Sequence, residues 1–272
     1  MKKEHALEGL ILDLRYNSGG LLTEAVAVTG LFLKNGVVVS IKDETGHIQR
    51  LRNTRNNIVW DGPLIVLINR MSASASEIVA QTLQDYGRAI IVGDDHSYGK
   101  GSYQTFTLAA QDESGVDPEG EIKITRGIYY PVGGETPQEK GVTSDIEIPG
   151  PVMFADIGER YLKYPLKGDR IAPSYEDDLS DVPIFQRTRF KKLYQADLQH
   201  KQDLYSPYLP LLKNHVSERI AEDKNYQNFL TTVRSKDKEP DPPLPFGQND
   251  LQLEQTYEVM EELLMLSNTI KN

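Results

Sequence analysis

The sequence predicts an α/β protein: a mostly parallel sheet built from βαβ units, followed by a helical carboxyl-terminal region. Three observations carry this. Short aliphatic or β-branched runs alternate with helix-spaced stretches through the first half. Two of those runs, residues 63–68 and 89–92, are apolar at every position, as in strands buried on both faces. After Pro149-Gly150-Pro151 the apolar residues recur at helical spacing in polar surroundings, which divides the chain into a core of residues 1–150 and a helical domain of residues 151–272.

The elements follow in order. Residues 9–14 read as a short strand, and residues 23–33 as a helix carrying Ala25, Val26, Val28, Leu31 and Phe32 behind a Gly-Gly turn. Residues 37–41 and 47–51 suggest a hairpin. A helix over 77–86 joins the buried runs 63–68 and 89–92, and 103–108 and 121–130 are later strands. Strand, helix, strand in this order implies parallel crossovers. Downstream, Phe185, Phe190 and Leu193 mark one helix, and Leu211, Leu212, Val216 and Ile220 a second. Leu251, Tyr257, Met260, Leu263 and Leu264 mark a last one with Asn249 as its N-cap. The proline-rich residues 239–245 are an extended linker. Trp60 is expected in the core, and the acidic residues 112–121 in a solvated hairpin loop without metal-ligand spacing.

Composition excludes several classes of function. The 272 residues contain no cysteine, so there is no disulfide framework, thiolate nucleophile or cysteine zinc site. A net charge of −10 argues against a grip on phosphate backbones, and nucleic acid is not an expected partner. The apolar stretch near the amino end is broken by Asp13, too short for a signal peptide or a membrane span.

Ser72-Ala-Ser-Ala-Ser76 follows a buried strand and precedes a helix. Such a turn exposes a side-chain oxygen at the carboxyl edge of the sheet, beside the first free N–H groups of the helix. It is equally a capping box, with Ser74 as cap and Glu77 reaching back. A hydroxyl becomes a nucleophile only beside a base. His96 is the one histidine in a loop near the serines, and Lys100, between Gly99 and Gly101, is the alternative. A lysine acts as a base only when neutral; lowering an ordinary value of about 10.4 to roughly 7–8 requires about 3–5 kcal/mol, which burial can supply. The loop also resembles a phosphate loop, but its spacing is one residue too long and Gly101 stands where Ser or Thr should follow the lysine, so no nucleotide is expected. Asn17-Ser-Gly-Gly20 is either a tight βα turn or an anion nest suited to an oxyanion.

Gly9-Leu-Ile-Leu-Asp-Leu-Arg-Tyr-Asn-Ser-Gly-Gly20, Ser72-Ala-Ser-Ala-Ser-Glu-Ile78 and Gly99-Lys-Gly-Ser-Tyr-Gln104 resemble, in order, three signatures of the carboxy-terminal processing, or tail-specific, serine proteases. Gln84-Asp-Tyr-Gly-Arg-Ala89 and Lys140-Gly-Val-Thr-Ser-Asp145 resemble the bacterial branch, with a weaker echo in Asp223-Lys-Asn-Tyr-Gln-Asn-Phe229. The resemblance implies a ClpP/crotonase-like fold and a serine–lysine dyad: Ser74 as nucleophile, Lys100 as base, Gln104 orienting the lysine, and the backbone N–H groups of Ala75 and Gly20 as oxyanion hole. It implies no cofactor or metal, and protein substrates recognised through exposed carboxyl-terminal tails. Homo-oligomers are left open. It implies a periplasmic or otherwise exported bacterial protein. One departure concerns the lysine loop, which has one extra residue and no proline, so it must bulge if Lys100 is to reach Ser74. Glu77 is read as a helix cap or salt-bridge partner, and Asp13 and Arg15 as structural or pocket-wall residues.

Two other readings stand beside this one. The family normally carries an amino-terminal region and a PDZ domain ahead of the core, which here begins nine residues in, so the chain reads as the back portion of a longer protease and could be a catalytically idle assembly fragment. A crotonase-like acyl-CoA enzyme shares the oxyanion logic but does not need Lys100.

Overall fold

The computed structural model describes residues 7–55, 57–107, 122–235 and 250–269. The acidic stretch 112–121, the proline-rich 239–245 and Asn249 lie outside the described residues. Four strands, β1 (Leu10–Asp13), β4 (Leu64–Ile68), β5 (Ile90–Gly93) and β8 (Ile146–Glu147), form an all-parallel sheet in the order β1-β4-β5-β8. The apolar run of β4 divides by parity, as period-2 geometry requires. Leu64, Val66 and Ile68 enter one hydrophobic core, and Ile65 and Leu67 enter another on the opposite face.

The remaining strands are a separate sheet. β2 (Gly36–Asp43), β3 (Ile48–Asn53), β6 (Ser102–Thr107) and β7 (Ile122–Pro131) pair antiparallel in the order β3-β2-β7-β6. The expected mostly parallel sheet is thus confined to four strands, and the β2–β3 link, too short for a parallel crossover, closes as the expected hairpin. Helices α1 (Leu22–Thr29) and α2 (Ala75–Asp85) join this sheet on the first face of the parallel one, sharing the core of Ala25, Val37, Ile78, Leu83 and Tyr129. α1 stops four residues before the expected end because the Asn53 amide binds the carbonyls of Leu33 (3.0 Å) and Lys34 (2.9 Å), drawing the chain out of the helix.

After a largely irregular stretch come α3 (Ile184–Tyr194), α4 (Leu209–Glu222), α5 (Lys224–Arg234) and α6 (Leu251–Thr269). The last three cover the second face of the parallel sheet, packing Leu212, Val216, Tyr226, Val259 and Leu263 against Ile65, Leu67, Ile90 and Val92. α5 starts at a side-chain cap: the Asp223 carboxylate accepts the N–H groups of Asn225 (2.8 Å) and Tyr226 (3.2 Å). At α6 it is Asp250 that caps, accepting Leu253 N–H at 3.0 Å.

Parallel strands send their following turns out of one edge of the sheet. β1, β4 and β5 are neighbours, so the turns after them, which carry Gly19-Gly20, Ser74 and Lys100, are neighbours as well.

Candidate active site

The turn after β4 is held by its own serines and by the turn after β1. Ser72 Oγ accepts Asn69 N–H (3.0 Å) and donates to Leu14 O (2.8 Å), while Ser76 Oγ donates to Asn17 O (3.0 Å) and Ala73 N–H donates to the same carbonyl (3.0 Å). Ser72 and Ser76 are therefore structural. Ser74 lies at φ 58°, ψ −116°, a left-handed conformation that costs a non-glycine residue on the order of 1–3 kcal/mol. Its surroundings hold it there: its N–H donates to Glu77 Oε2 at 2.8 Å and its carbonyl accepts Glu77 N–H (2.9 Å), Ile78 N–H (3.1 Å) and the Tyr129 hydroxyl (3.1 Å). A strained serine between strand and helix is the local geometry of a nucleophile turn.

The Gly-Gly turn abuts this serine. Gly19 has φ +100°, and a Cβ on it would lie 2.6 Å from Ala73 O, 2.8 Å from Ala75 N and 2.8 Å from Ser74 Cβ. Among the described residues neither Gly20 N–H nor Ala75 N–H has a hydrogen-bond partner. Two unengaged donors on either side of a nucleophile turn suit a developing oxyanion. Gly19→Ala should therefore lower stability by about 1–3 kcal/mol through strain alone and push the two turns apart. Urea denaturation and kcat, measured together, check this; a variant with wild-type kcat would separate the turn from catalysis.

The lysine loop docks on the same place. Tyr98 N–H donates to Ser72 O (2.9 Å), and Ser97 exchanges bonds with Val142, its N–H to Val142 O (3.0 Å) and its Oγ from Val142 N–H (2.7 Å). Glu77 joins this loop to the turn that carries Ser74. This buried carboxylate accepts Ser97 Oγ, Gly99 N–H (2.6 Å) and Lys100 N–H (2.9 Å) besides Ser74 N–H. Burial pushes its pKa up to about 7, against the four hydrogen bonds, which favour the charged form. The buried Tyr129 hydroxyl is a second tie, lying between the carbonyls of Ser74 and Lys100.

Not every expected residue converges. Lys100 is half-buried beside the serine turn, and no hydrogen bond joins its Nζ to Ser74 Oγ among the described residues. Gln104 is exposed on β6, where its amide donates to Thr125 Oγ1 at 3.4 Å across the strand pair and not to Lys100. His96 is buried against Ser97 O (Nδ1, 2.6 Å) and Asp95 (Nε2, 3.7 Å), which removes it as a partner for Ser74. Glu77 and Tyr129 were missed as site residues. The capping-box spacing marks Glu77 as a partner of Ser74 only, and nothing in the sequence marks Tyr129. Among the described residues no group of three or more histidine or carboxylate side chains could hold a metal ion.

Residues 1–148 match Peptidase family S41, and the chain belongs to that family. It is similar to the tail-specific protease of Haemophilus influenzae, 41% identical over 165 residues that cover 60% of this chain and 24% of that protein. It is also similar to the carboxy-terminal-processing protease of Bartonella bacilliformis, 36% identical over 206 residues covering 71% of this chain and 46% of that one. Among solved structures, the photosystem II D1 C-terminal processing protease matches at 33% identity and a TM-score of 0.47, over 53% of this chain and 35% of that one. The chain thus spans less than half the length of these relatives.

Proposed function

We propose that this chain carries the catalytic centre of a serine endopeptidase that uses a Ser74–Lys100 dyad to cleave proteins recognised through their carboxyl-terminal tails. The observation that supports it best is the meeting of three turns, bearing Ser74, Gly19-Gly20 and Lys100, at one edge of the sheet with Glu77 bonded to two of them. In the proposed reaction Ser74 Oγ attacks the scissile carbonyl as neutral Lys100 takes its proton. The tetrahedral oxyanion rests on Ala75 and Gly20 N–H groups, and Lys100 returns the proton to the leaving amine. Lys100 then takes a proton from water as that water attacks the acyl carbon, and returns it to Ser74 Oγ as the acyl–oxygen bond breaks and the carboxylic acid leaves. Gln104 would orient Lys100 only after leaving Thr125. Tail recognition draws on the names of the relatives, a tail-specific and a carboxy-terminal-processing protease, and a periplasmic or exported setting on the sequence resemblance alone.

A second reading, an idle core, is favoured by the missing Ser74–Lys100 hydrogen bond. Cleavage of an unstructured, tail-tagged protein by the wild type, Ser74→Ala and Lys100→Ala decides between them. The dyad requires loss of activity in both variants, and equal rates in all three overturn it.

A further inference from the structure

We propose that the amino end of α6 is a positioning latch for the oxyanion turn, with Asp250 and Gln252 acting through Arg15. Its catalytic consequence rests on the peptidase reading above. Arg15 stands between β1 and the turn of residues 17–20, and its side chain is 8% exposed. All five of its N–H groups are used. Nε faces both Asp13 oxygens (3.0 and 3.1 Å), Nη2 donates to Asp13 Oδ2 and Asp250 Oδ2 (2.7 Å each), and Nη1 donates to Asp250 Oδ1 (2.9 Å) and Gln252 Oε1 (3.2 Å). Burial works against the guanidinium charge, but the bonds from Asp250 and Asp13 outweigh it and raise the pKa further. Asp13 is a local partner; Asp250 comes from the far end of the chain.

The same helix end also reaches the nucleophile turn. Gln252 Nε2 donates to Asp94 Oδ1 (3.1 Å) and Ile148 O (2.7 Å), and the buried Asp94 carboxylate accepts Arg70 N–H (3.1 Å) and Gly150 N–H (2.8 Å). Arg70 lies in the turn that leads to Ser74. One helix end is thus bonded directly to Arg15 at the base of one turn and, through Asp94, to Arg70 at the base of the other.

The oxyanion turn needs such a hold. Tyr16, directly after Arg15, is a non-glycine residue at φ 60°, a strained reversal that persists only if its neighbours impose it. At the outer end, Gly20 is exposed with nothing within 4 Å of where its Cβ would be, so no packing there fixes the donor. Its position is set by the rest of the turn: by Asn17 O, which Ser76 Oγ and Ala73 N–H hold, by Gly19 against residues 73–75, and by the base, where Tyr16 N–H donates to Asn69 Oδ1 (3.0 Å) and Arg15 is fixed from α6. A displacement of about 1 Å in such a site can cost on the order of 100-fold in rate.

The test is Asp250→Asn in the full chain, which keeps an oxygen for Leu253 N–H and removes the charge facing Arg15. Amide exchange at Tyr16, Asn17 and Gly19 should accelerate by about tenfold or more, and kcat should fall by about tenfold with KM within about twofold. Arg15→Met and the double variant should lose equal amounts, since both remove one unit. Asp223→Ala, which uncaps α5 without touching Arg15, should leave exchange and kcat unchanged. Unaltered exchange or kcat in Asp250→Asn, additive losses with Arg15→Met, or equal losses in Asp223→Ala overturn the latch. Should the wild type cleave nothing, the peptidase reading falls, and amide exchange alone decides the latch.

Discussion

Lys100→Ala is expected to lower kcat by about 10²–10⁴-fold on an unstructured protein substrate, the range a positioned general base contributes. The fold should survive. What Lys100 gives to its surroundings is backbone: its N–H bonds Glu77 and its carbonyl receives the Tyr129 hydroxyl, and alanine retains both. In the proposed dyad nucleophile and base act as a unit, so Ser74→Ala/Lys100→Ala should be no slower than Ser74→Ala alone. Lys100→Arg should not rescue, because a guanidinium does not give up its proton near neutral pH. Single-turnover kinetics on the wild type and the four variants provide the check, and an active Lys100→Arg would overturn the proposed role of this residue as base.

Glu77→Ala should have the largest effect on the folded site. It orphans four donors at once, Ser74 N–H, Ser97 Oγ, Gly99 N–H and Lys100 N–H, and each buried donor left unpaired costs about 1–3 kcal/mol. Even with water entering the gap, a loss of at least about 3 kcal/mol is expected in urea denaturation, with activity falling because both turns are released.

Glu77→Gln isolates the charge. The folded-state pKa is raised from 4.5 to about 7, so between those values the native protein holds a proton that the unfolded chain has released. The stability Glu77 contributes by this route is full below about pH 4.5 and is lost as the pH rises through about 7. Asp94 and Asp85, also raised by burial, titrate nearby but are common to both proteins and cancel in the difference. Wild type minus Glu77→Gln should therefore decline from about pH 5 to about pH 7 by up to about 1.4 kcal/mol per unit. A flat difference would mean that the four donors outweigh burial and keep the carboxylate ionised throughout.

Much of this site is legible in the residues because its chemistry depends on residue type. A Cβ at Gly19 would strike the backbone of Ala73 and Ala75 and φ +100° suits only glycine, so Asn-Ser-Gly-Gly advertises itself, as does a serine run placed between strand and helix. The buried parallel strands are legible for a similar reason, since a strand covered on both faces has no polar position. Gln104 shows where such reasoning stops: its place after the lysine is visible, but the partner it chooses, Thr125, depends on the register of β6 against β7 and on the irregularity at Tyr103/Gln104.

By itself, then, the sequence determined the chemical inventory and the local elements: a serine on a strand-to-helix turn, a glycine turn, a lysine between glycines, and a helical second half. Tertiary structure alone decided which of these meet. It separated four strands into an antiparallel sheet, made Glu77 a bridge to a loop some twenty residues away, and brought Asp250 to Arg15 across 235 positions. Periodicity and capping act within a few residues, whereas these pairings arise from the order of strands in the sheet and the face on which α6 packs. A local pattern does not encode either.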